Sequence, residues 1–278
     1  MIRTVTIIGS GNVGYHLARA IFRIEGFDEN ADRYIMQNFS RTFAKAEALA
    51  EEVYAEATDD LLEIDPHNDL YIIAVKDDAI EEVAQQLQRA GLTDELVVHT
   101  SGATPSSILE PYFNRYGSFY PLQTFSKERK INFKNIPICI HAHHAQDQVL
   151  LMELAGQLSE KTYLINDTQR EALHVSAVMV NNFTNYLYVI AEKLLKEQEV
   201  PFALLQPLIL ETARKVQRHA PVNMQTGPAI REDHRTIDRH LSYLGTHPNI
   251  AQLYEQMTRR IMEDMLTKTK VTNKGVGN

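Results

Sequence analysis

Gly9-Ser10-Gly11-Asn12-Val13-Gly14 sits where an apolar run, Val5-Thr6-Ile7-Ile8, gives way to Val13, Leu17, Ala20, Ile21 and Ile24 at helical spacing. Between a strand and a helix, that glycine spacing suits a dinucleotide. The first glycine permits a tight turn, the second lets the backbone approach a pyrophosphate, and the third lets the helix pack on the strand. The helix start adds unpaired N–H donors and the positive end of its dipole. NAD would call for an Asp or Glu at the end of the second strand, to accept hydrogen bonds from the ribose. Here Tyr34-Ile35-Met36-Gln37-Asn38-Phe39 runs into Ser40-Arg41-Thr42. Two hydroxyls and a guanidinium suit a 2′-phosphate, so the expected cofactor is NADP. The competing reading has Ser40 capping the next helix and Arg41 solvated.

Ligands of open α/β sheets lie beyond the carboxyl ends of the strands. Two loops qualify, Ala74-Val75-Lys76-Asp77-Asp78 and His99-Thr100-Ser101-Gly102-Ala103. Val75 and Lys76 are assigned to the cofactor. Ser101 and Gly102 offer a hydroxyl and an N–H to a substrate carboxylate or carbonyl, against the alternative of a plain polar turn. Further on, His174, Asn181 and Asn185 fall within about 40° of one another on a helix of 100° per residue. Unpaired buried amides and imidazoles cost ~1–3 kcal/mol each, so this stripe either bonds within the protein or lines a wet cleft. An imidazole titrates near neutral pH, which makes His174 the candidate proton donor, with Ser101 and Asn181 completing the catalytic set and Asn185 binding substrate. Met224-Gln225-Thr226-Gly227-Pro228-Ala229-Ile230-Arg231 is a loop shaped by a Gly-Pro break. Thr226 and Arg231, the latter at the start of the next helix, are candidates for an anionic substrate group, unless Arg231 pairs with Glu232 or Asp233. In His141-Ala142-His143-His144 no further ligand completes a metal spacing, so no metal is expected.

These residues need a scaffold. Short β-branched runs near 3–8, 34–39, 69–75, 96–99, 117–120, 136–141 and 161–165 alternate with helical patterns such as 12–24, 42–52 and 78–90. That alternation predicts an α/β fold, a doubly wound parallel sheet of the Rossmann kind. Beyond it only helices are expected, near 168–198, 202–218, 231–244 and 248–268. The division predicted is 1–166 for an NADP-binding domain, 167–270 for a helical substrate and dimerisation domain, and 271–278 for a flexible tail. Asp59 and Asp78 stand where helix starts want acceptors, and Thr168 with Glu171 reads as a capping box. The helix after it is apolar on most faces (Val175, Val178, Met179, Val180, Phe183, Val189), which predicts burial all round. Asn181, Asn182 and Asn185 interrupt it where a membrane span would keep ~18 apolar residues.

A length of 278 residues with 44% hydrophobic content supports two domains. The net charge of −8 argues against a nucleic-acid partner, which would need clustered Lys and Arg. Met1-Ile2-Arg3-Thr4-Val5 enters a strand with no export signal, and Cys139 alone allows no intrachain disulfide. A cytoplasmic protein acting on a small molecule is the expectation, and the sequons at Asn38 and Asn182 are then accidental.

Gly9 to Gly14, Ser40-Arg41-Thr42, His99-Thr100-Ser101-Gly102, Tyr120-Pro121-Leu122-Gln123-Thr124-Phe125, His174 through Asn181, and Thr226-Gly227-Pro228 through Arg231 and Asp233 together resemble a known group. It is that of Rossmann-like NADP-binding oxidoreductases with an uncharacterised helical C-terminal domain, distantly similar to pyrroline-5-carboxylate reductase and 6-phosphogluconate dehydrogenase. The likeness spans nearly the whole chain. It implies a C-terminal domain of the 6-phosphogluconate dehydrogenase type, a homodimer through that domain, and a substrate cleft between domains. Wider relatives carry a Lys or similar donor and an Asn on the first long helix of the second domain, where this chain has His174 and Asn181. Many members have His where this chain has Tyr120. The reaction expected is hydride transfer between nicotinamide and a small, anionic carbonyl or imine compound; the alternative is a non-catalytic NADP-binding regulator.

Overall fold

The computed structural model describes residues 1–24 and 35–274, with side chains through 264. Eight strands form one sheet: β1 (Val5–Ile8), β2 (Ile35–Phe39), β3 (Glu56–Thr58), β4 (Leu70–Ile73), β5 (Leu96–His99), β6 (Arg115–Pro121), β7 (Ile138–Ala142) and β8 (Thr162–Leu164). Their spatial order is β3-β2-β1-β4-β5-β6-β7-β8, and every pairing is parallel except β6 with β7. The chain winds outward from β1 in both directions, so the crevice opens above the carboxyl ends of β1 and β4. The central strands β1, β4 and β5 are buried on both faces, which is why they read as near-continuous apolar runs, whereas the edge strands β3 and β8 are partly exposed. Ile7, Ile72 and Val98 enter one core with Leu17 and Ile21, and Ile8, Tyr71, Ile73 and Val97 enter the other with Val83 and Leu87.

Ten α-helices accompany the sheet among the described residues: α1 (Asn12–Phe22), α2 (Phe43–Val53), α3 (Ile80–Arg89), α4 (Ala145–Leu158), α5 (Asp167–Ala177), α6 (Thr184–Lys196), α7 (Gln206–Val216), α8 (Pro221–Met224), α9 (His234–Tyr243) and α10 (Pro248–Lys274). The doubly wound sheet followed by helices is the fold expected. Two compact units result, Met1–Asn181 and Asn182–Asn278. The first runs past the expected division at 166/167. None of the described helices is long and apolar enough to cross a membrane.

Several local expectations are corrected. β3 was not foreseen, because Glu56-Ala57-Thr58 is too short and too polar to show a period. The capping box is Asn166 with Gln169 rather than Thr168 with Glu171, so α5 starts one residue earlier, at Asp167. Asp60, not Asp59, caps the short turn of helix at Leu61–Glu63. Asp78 lies inside a short 3-10 helix, Asp77–Ala79, that leads into α3. The helix expected over 168–198 is broken by a π-helix, Val178–Phe183, between α5 and α6. Its apolar side chains are not buried within the chain: Val180 is 74% exposed, and Val175, Phe183 and Tyr186 are exposed too. The helix expected from 231 begins at His234, which leaves Arg231 in the preceding turn. α10 continues to Lys274, into the expected tail, and 275–278 lie outside the described residues, as does Tyr34.

Candidate active site

The turn after β1 is built for close approach. Gly9 has φ +118°, a left-handed conformation that side chains resist, and a Cβ there would strike the Ala74 carbonyl. A Cβ on Gly14 would strike the Gly9 carbonyl, so this glycine is what seats α1 on β1. Gly11 and Asn12 are exposed at the start of α1, where helix N–H groups have no partner within the helix. Ser10 is held from below: Asn38 at the end of β2 donates its amide to Ser10 Oγ at 2.9 Å and to the Ala46 carbonyl at 3.0 Å. Asn38 is fully buried.

Beside this cradle stand Ser40, Arg41 and Thr42. Thr42 is the N-cap of α2 and makes no side-chain cap bond. Arg41 and Thr42 are exposed, and Arg41 has no ion pair among the described residues. A guanidinium, two hydroxyls and the first turn of α2 thus stand together after β2. The residues fit a dinucleotide phosphate. Val75 is half-buried and Lys76 exposed at the end of β4.

A second cluster gathers where β5 and β6 end. Asp167, Arg170 and His174 lie three and seven residues apart on α5, on one face of the helix. Arg170 is 1% exposed. Its guanidinium donates to Ser118 Oγ on β6 and to Asp167 Oδ1, both at 2.6 Å, and to the Thr104 carbonyl. Asp167 Oδ2 accepts from the backbone N–H of Ser106 at 2.7 Å and from its hydroxyl at 2.9 Å. This pair clamps α5 to loop 101–106, and through that loop it sets His174. The His174 ring lies against the backbone of Gly102, where a Cβ would overlap the imidazole. The same ring's Nδ1 and Tyr120 Oη are 3.1 Å apart. Burial pushes the Tyr120 hydroxyl up to about 12, so it keeps its proton at neutral pH.

Ser101 serves its own loop. Its Oγ accepts from the N–H groups of Ala103 and Thr104 at 3.2 and 2.9 Å and donates to Thr104 Oγ1 at 3.0 Å. Asn181 and Asn185 are exposed, and the π-helix, which holds Asn181 and separates Asn185 from α5, breaks the 100° step that set them on one face with His174. Thr226 and Arg231 are exposed in the second unit. His143 stacks on Tyr116 and meets the His144 ring edge-on at 4.6 Å, while His144 bonds to the Asn114 carbonyl at 3.1 Å. Sequence reasoning missed Asp167 and Arg170 and left Tyr120 undecided.

His99, at the end of β5, is fully buried and accepts from the Ser101 N–H at 3.2 Å on Nδ1. Burial, aided by the Arg170 charge, pushes its imidazole from 6.5 down to about 4. The folded state thus resists protonation while the unfolded chain accepts it. Stability is fully present above about pH 6.5 and is lost as pH falls toward 4, by about 2–3 kcal/mol at pH 4.5. Urea unfolding at pH 7 and pH 4.5 should show this loss, reduced in His99→Gln; equal losses in both proteins would refute the assignment.

Residues 4–102 match the family model described as NADP oxidoreductase coenzyme F420-dependent, and residues 136–261 match a domain of unknown function, DUF2520. A solved structure from Bacteroides fragilis, provisionally assigned as an NADP oxidoreductase, is 42% identical over 94% of this chain and 98% of its own, with a TM-score of 0.84. An imine reductase from Myxococcus stipitatus, solved with NADP+, is 16% identical over 94% of each chain, with a TM-score of 0.66. A pyrroline-5-carboxylate reductase from Coxiella burnetii is 16% identical over 95% of this chain and 97% of its own, with a TM-score of 0.55. The last two show a shared fold. No curated protein matches.

Proposed function

The chain belongs to the family of NADP-dependent oxidoreductases in which a Rossmann domain precedes a DUF2520 domain, and from that premise we propose that it reduces a small, anionic carbonyl or imine compound. The observation that carries this reading is the His174 imidazole, held at Nδ1 by Tyr120 and pressed on Gly102 beside the ends of β5 and β6.

Bound NADPH supplies the hydride. Gly9, Ser10, Gly11, Asn12, Val13 and Gly14 cradle its pyrophosphate, Ser40, Arg41 and Thr42 hold the 2′-phosphate, and Val75 and Lys76 border it. His174, protonated, donates Nδ1–H to Tyr120 Oη, which fixes the ring and leaves Nε2 to exchange a proton. As the substrate carbon gains hydride, its oxygen or nitrogen takes the Nε2 proton and the imidazole is left neutral. Tyr120, whose proton is held tightly, orients this acid and does not compete with it. Ser101 shapes the loop whose Gly102 N–H faces substrate. Asn181 is proposed to orient the substrate, and Asn185, Thr226 and Arg231, exposed on the second unit, are proposed as substrate-binding residues, Arg231 for an anionic group. A homodimer through the helical domain is supported by the exposed apolar side chains of α5, the π-helix and α6, with Val180 at 74% and Tyr186 at 59%. A cytoplasmic location fits a lone, buried cysteine.

Parallel titrations with NADPH and NADH test the cofactor site. NADPH should bind more tightly, and Arg41→Ala should weaken NADPH about 10–100-fold while leaving NADH unchanged, the range of a lost charge-assisted hydrogen bond. Equal affinity for the two cofactors in the unaltered protein would sink the 2′-phosphate assignment. NADPH oxidation is then followed against a panel of small anionic aldehydes, ketones and cyclic imines; silence across the panel with cofactor bound would count against the reductase reading.

A further inference from the structure

A cavity of about 820 Å³ lies away from this cluster, along the later turns of α1. That falls within the range of small-molecule sites. Its walls carry Arg19, Arg23, Lys127, Arg129, Lys130 and Lys134 against the single carboxylate of Glu128. In a chain of net charge −8 this is a concentrated field of opposite sign. The carboxylate is already taken by the Ser126 hydroxyl. Arg19 pairs with Glu52 at 2.8 Å, and Lys127 lies over the Tyr15 ring at 5.0 Å. Arg23, Arg129, Lys130 and Lys134 have no ion pair among the described residues.

The wall bearing these cations is fixed. At its root the Ser126 carbonyl bonds to His16 Nε2 of α1 at 2.8 Å, and Phe125 lies against both His16 and Phe133. At its far end Asn132 caps the turn by accepting from the Lys134 N–H at 3.1 Å, while Ser159 donates to the Ile136 carbonyl at 2.6 Å. Phe133 and Leu158, both buried, give the space an apolar side. Like charges crowded on a tethered wall repel one another, and the arrangement is relieved by a ligand that brings several negative charges at once.

We propose that this basic cavity is a second ligand site, which takes a multiply phosphorylated small molecule. Guanidinium forks match phosphate oxygens two at a time, and the lysines add point charges around them. The site is separate from the dinucleotide cradle, none of whose residues from Gly9 to Gly14 or Ser40 to Thr42 lines it.

The test uses NADPH-saturated protein, so that the cradle is filled, and inorganic tripolyphosphate as probe at constant ionic strength. A ligand that binds only the folded state raises the melting temperature by mass action. Tripolyphosphate should raise it saturably with NADPH still bound, and the double variant Arg129→Glu with Lys130→Glu, both exposed positions, should raise the half-saturating concentration about tenfold or more. The variant's own melting temperature and NADPH affinity should match those of the unaltered protein. Absence of a saturable shift, an unchanged concentration in the variant, or displacement of NADPH by the probe would each overturn the proposal.

Discussion

Asp167→Asn is expected to destabilise the protein by about 2–4 kcal/mol, less than the ~3–5 kcal/mol for breaking a fully buried ion pair from one side, because the Asp167 side chain is 28% exposed. The exchange barely alters shape. What it removes is the charge opposite Arg170, whose guanidinium is 1% exposed and has nowhere to regain water. Ser118 and the Thr104 carbonyl still accept from Arg170, but neither carries a charge. Burial raises the Asp167 carboxyl, yet the Arg170 charge and the two Ser106 hydrogen bonds outweigh it and hold the group below its ordinary value. Its stabilisation is therefore fully present above the unfolded value of about 3.9 and is lost as pH falls through the lower folded value. Urea unfolding should give the full difference between the two proteins at pH 7 and a smaller one at pH 3. Arg170→Met added to Asp167→Asn should recover part of the loss, since the stranded charge is gone. A loss below about 1 kcal/mol at pH 7 would show that the pair does not hold α5 to the loop.

The contrast between the cradle and this clamp shows what the residues disclose along the chain. Gly9, Gly11 and Gly14 lie within six positions and flank a strand and a helix with clear periods, so local order alone brings them together. Ser40-Arg41-Thr42 follows the next strand in the winding order and was legible for the same reason. The clamp joins Thr104, Ser106, Ser118, Asp167 and Arg170 from three separate elements, and no spacing announces such a set. Asp167 and Arg170 were further hidden because a charged pair in a helix's first turn reads as a solvated cap, and the cap itself was placed at Thr168 instead of Asn166. The His174 stripe rested on 3.6 residues per turn, and a π-helix is a local change of hydrogen-bond register that sequence periodicity does not reveal. The apolar faces of α5 and α6 predicted a helix buried all round, but among the described residues they stay exposed. Tyr120 sat in a motif already quoted; its link to His174, across 54 residues, needed the sheet to be assembled.

Gly102→Ala should lower turnover about 100-fold, the scale on which small misplacements of reacting groups act. No left-handed backbone is at issue at Gly102, so the backbone accepts alanine there; the new methyl group falls on the His174 imidazole. The ring must then leave Tyr120 Oη, losing the contact that directs Nε2 toward substrate. His174→Ala removes the acid altogether and is expected to cost about 10²–10⁴-fold in kcat. Both single changes act through one imidazole, so their effects should not add: Gly102→Ala placed on His174→Ala should cost little more than His174→Ala alone. Tyr120→Phe separates positioning from chemistry. It leaves the imidazole in place without its partner, and should lower kcat about tenfold with KM and NADPH affinity nearly unchanged. Additive losses in the Gly102→Ala, His174→Ala pair, or full turnover by His174→Ala, would remove His174 from the chemistry and leave the loop's backbone as the group that meets the substrate.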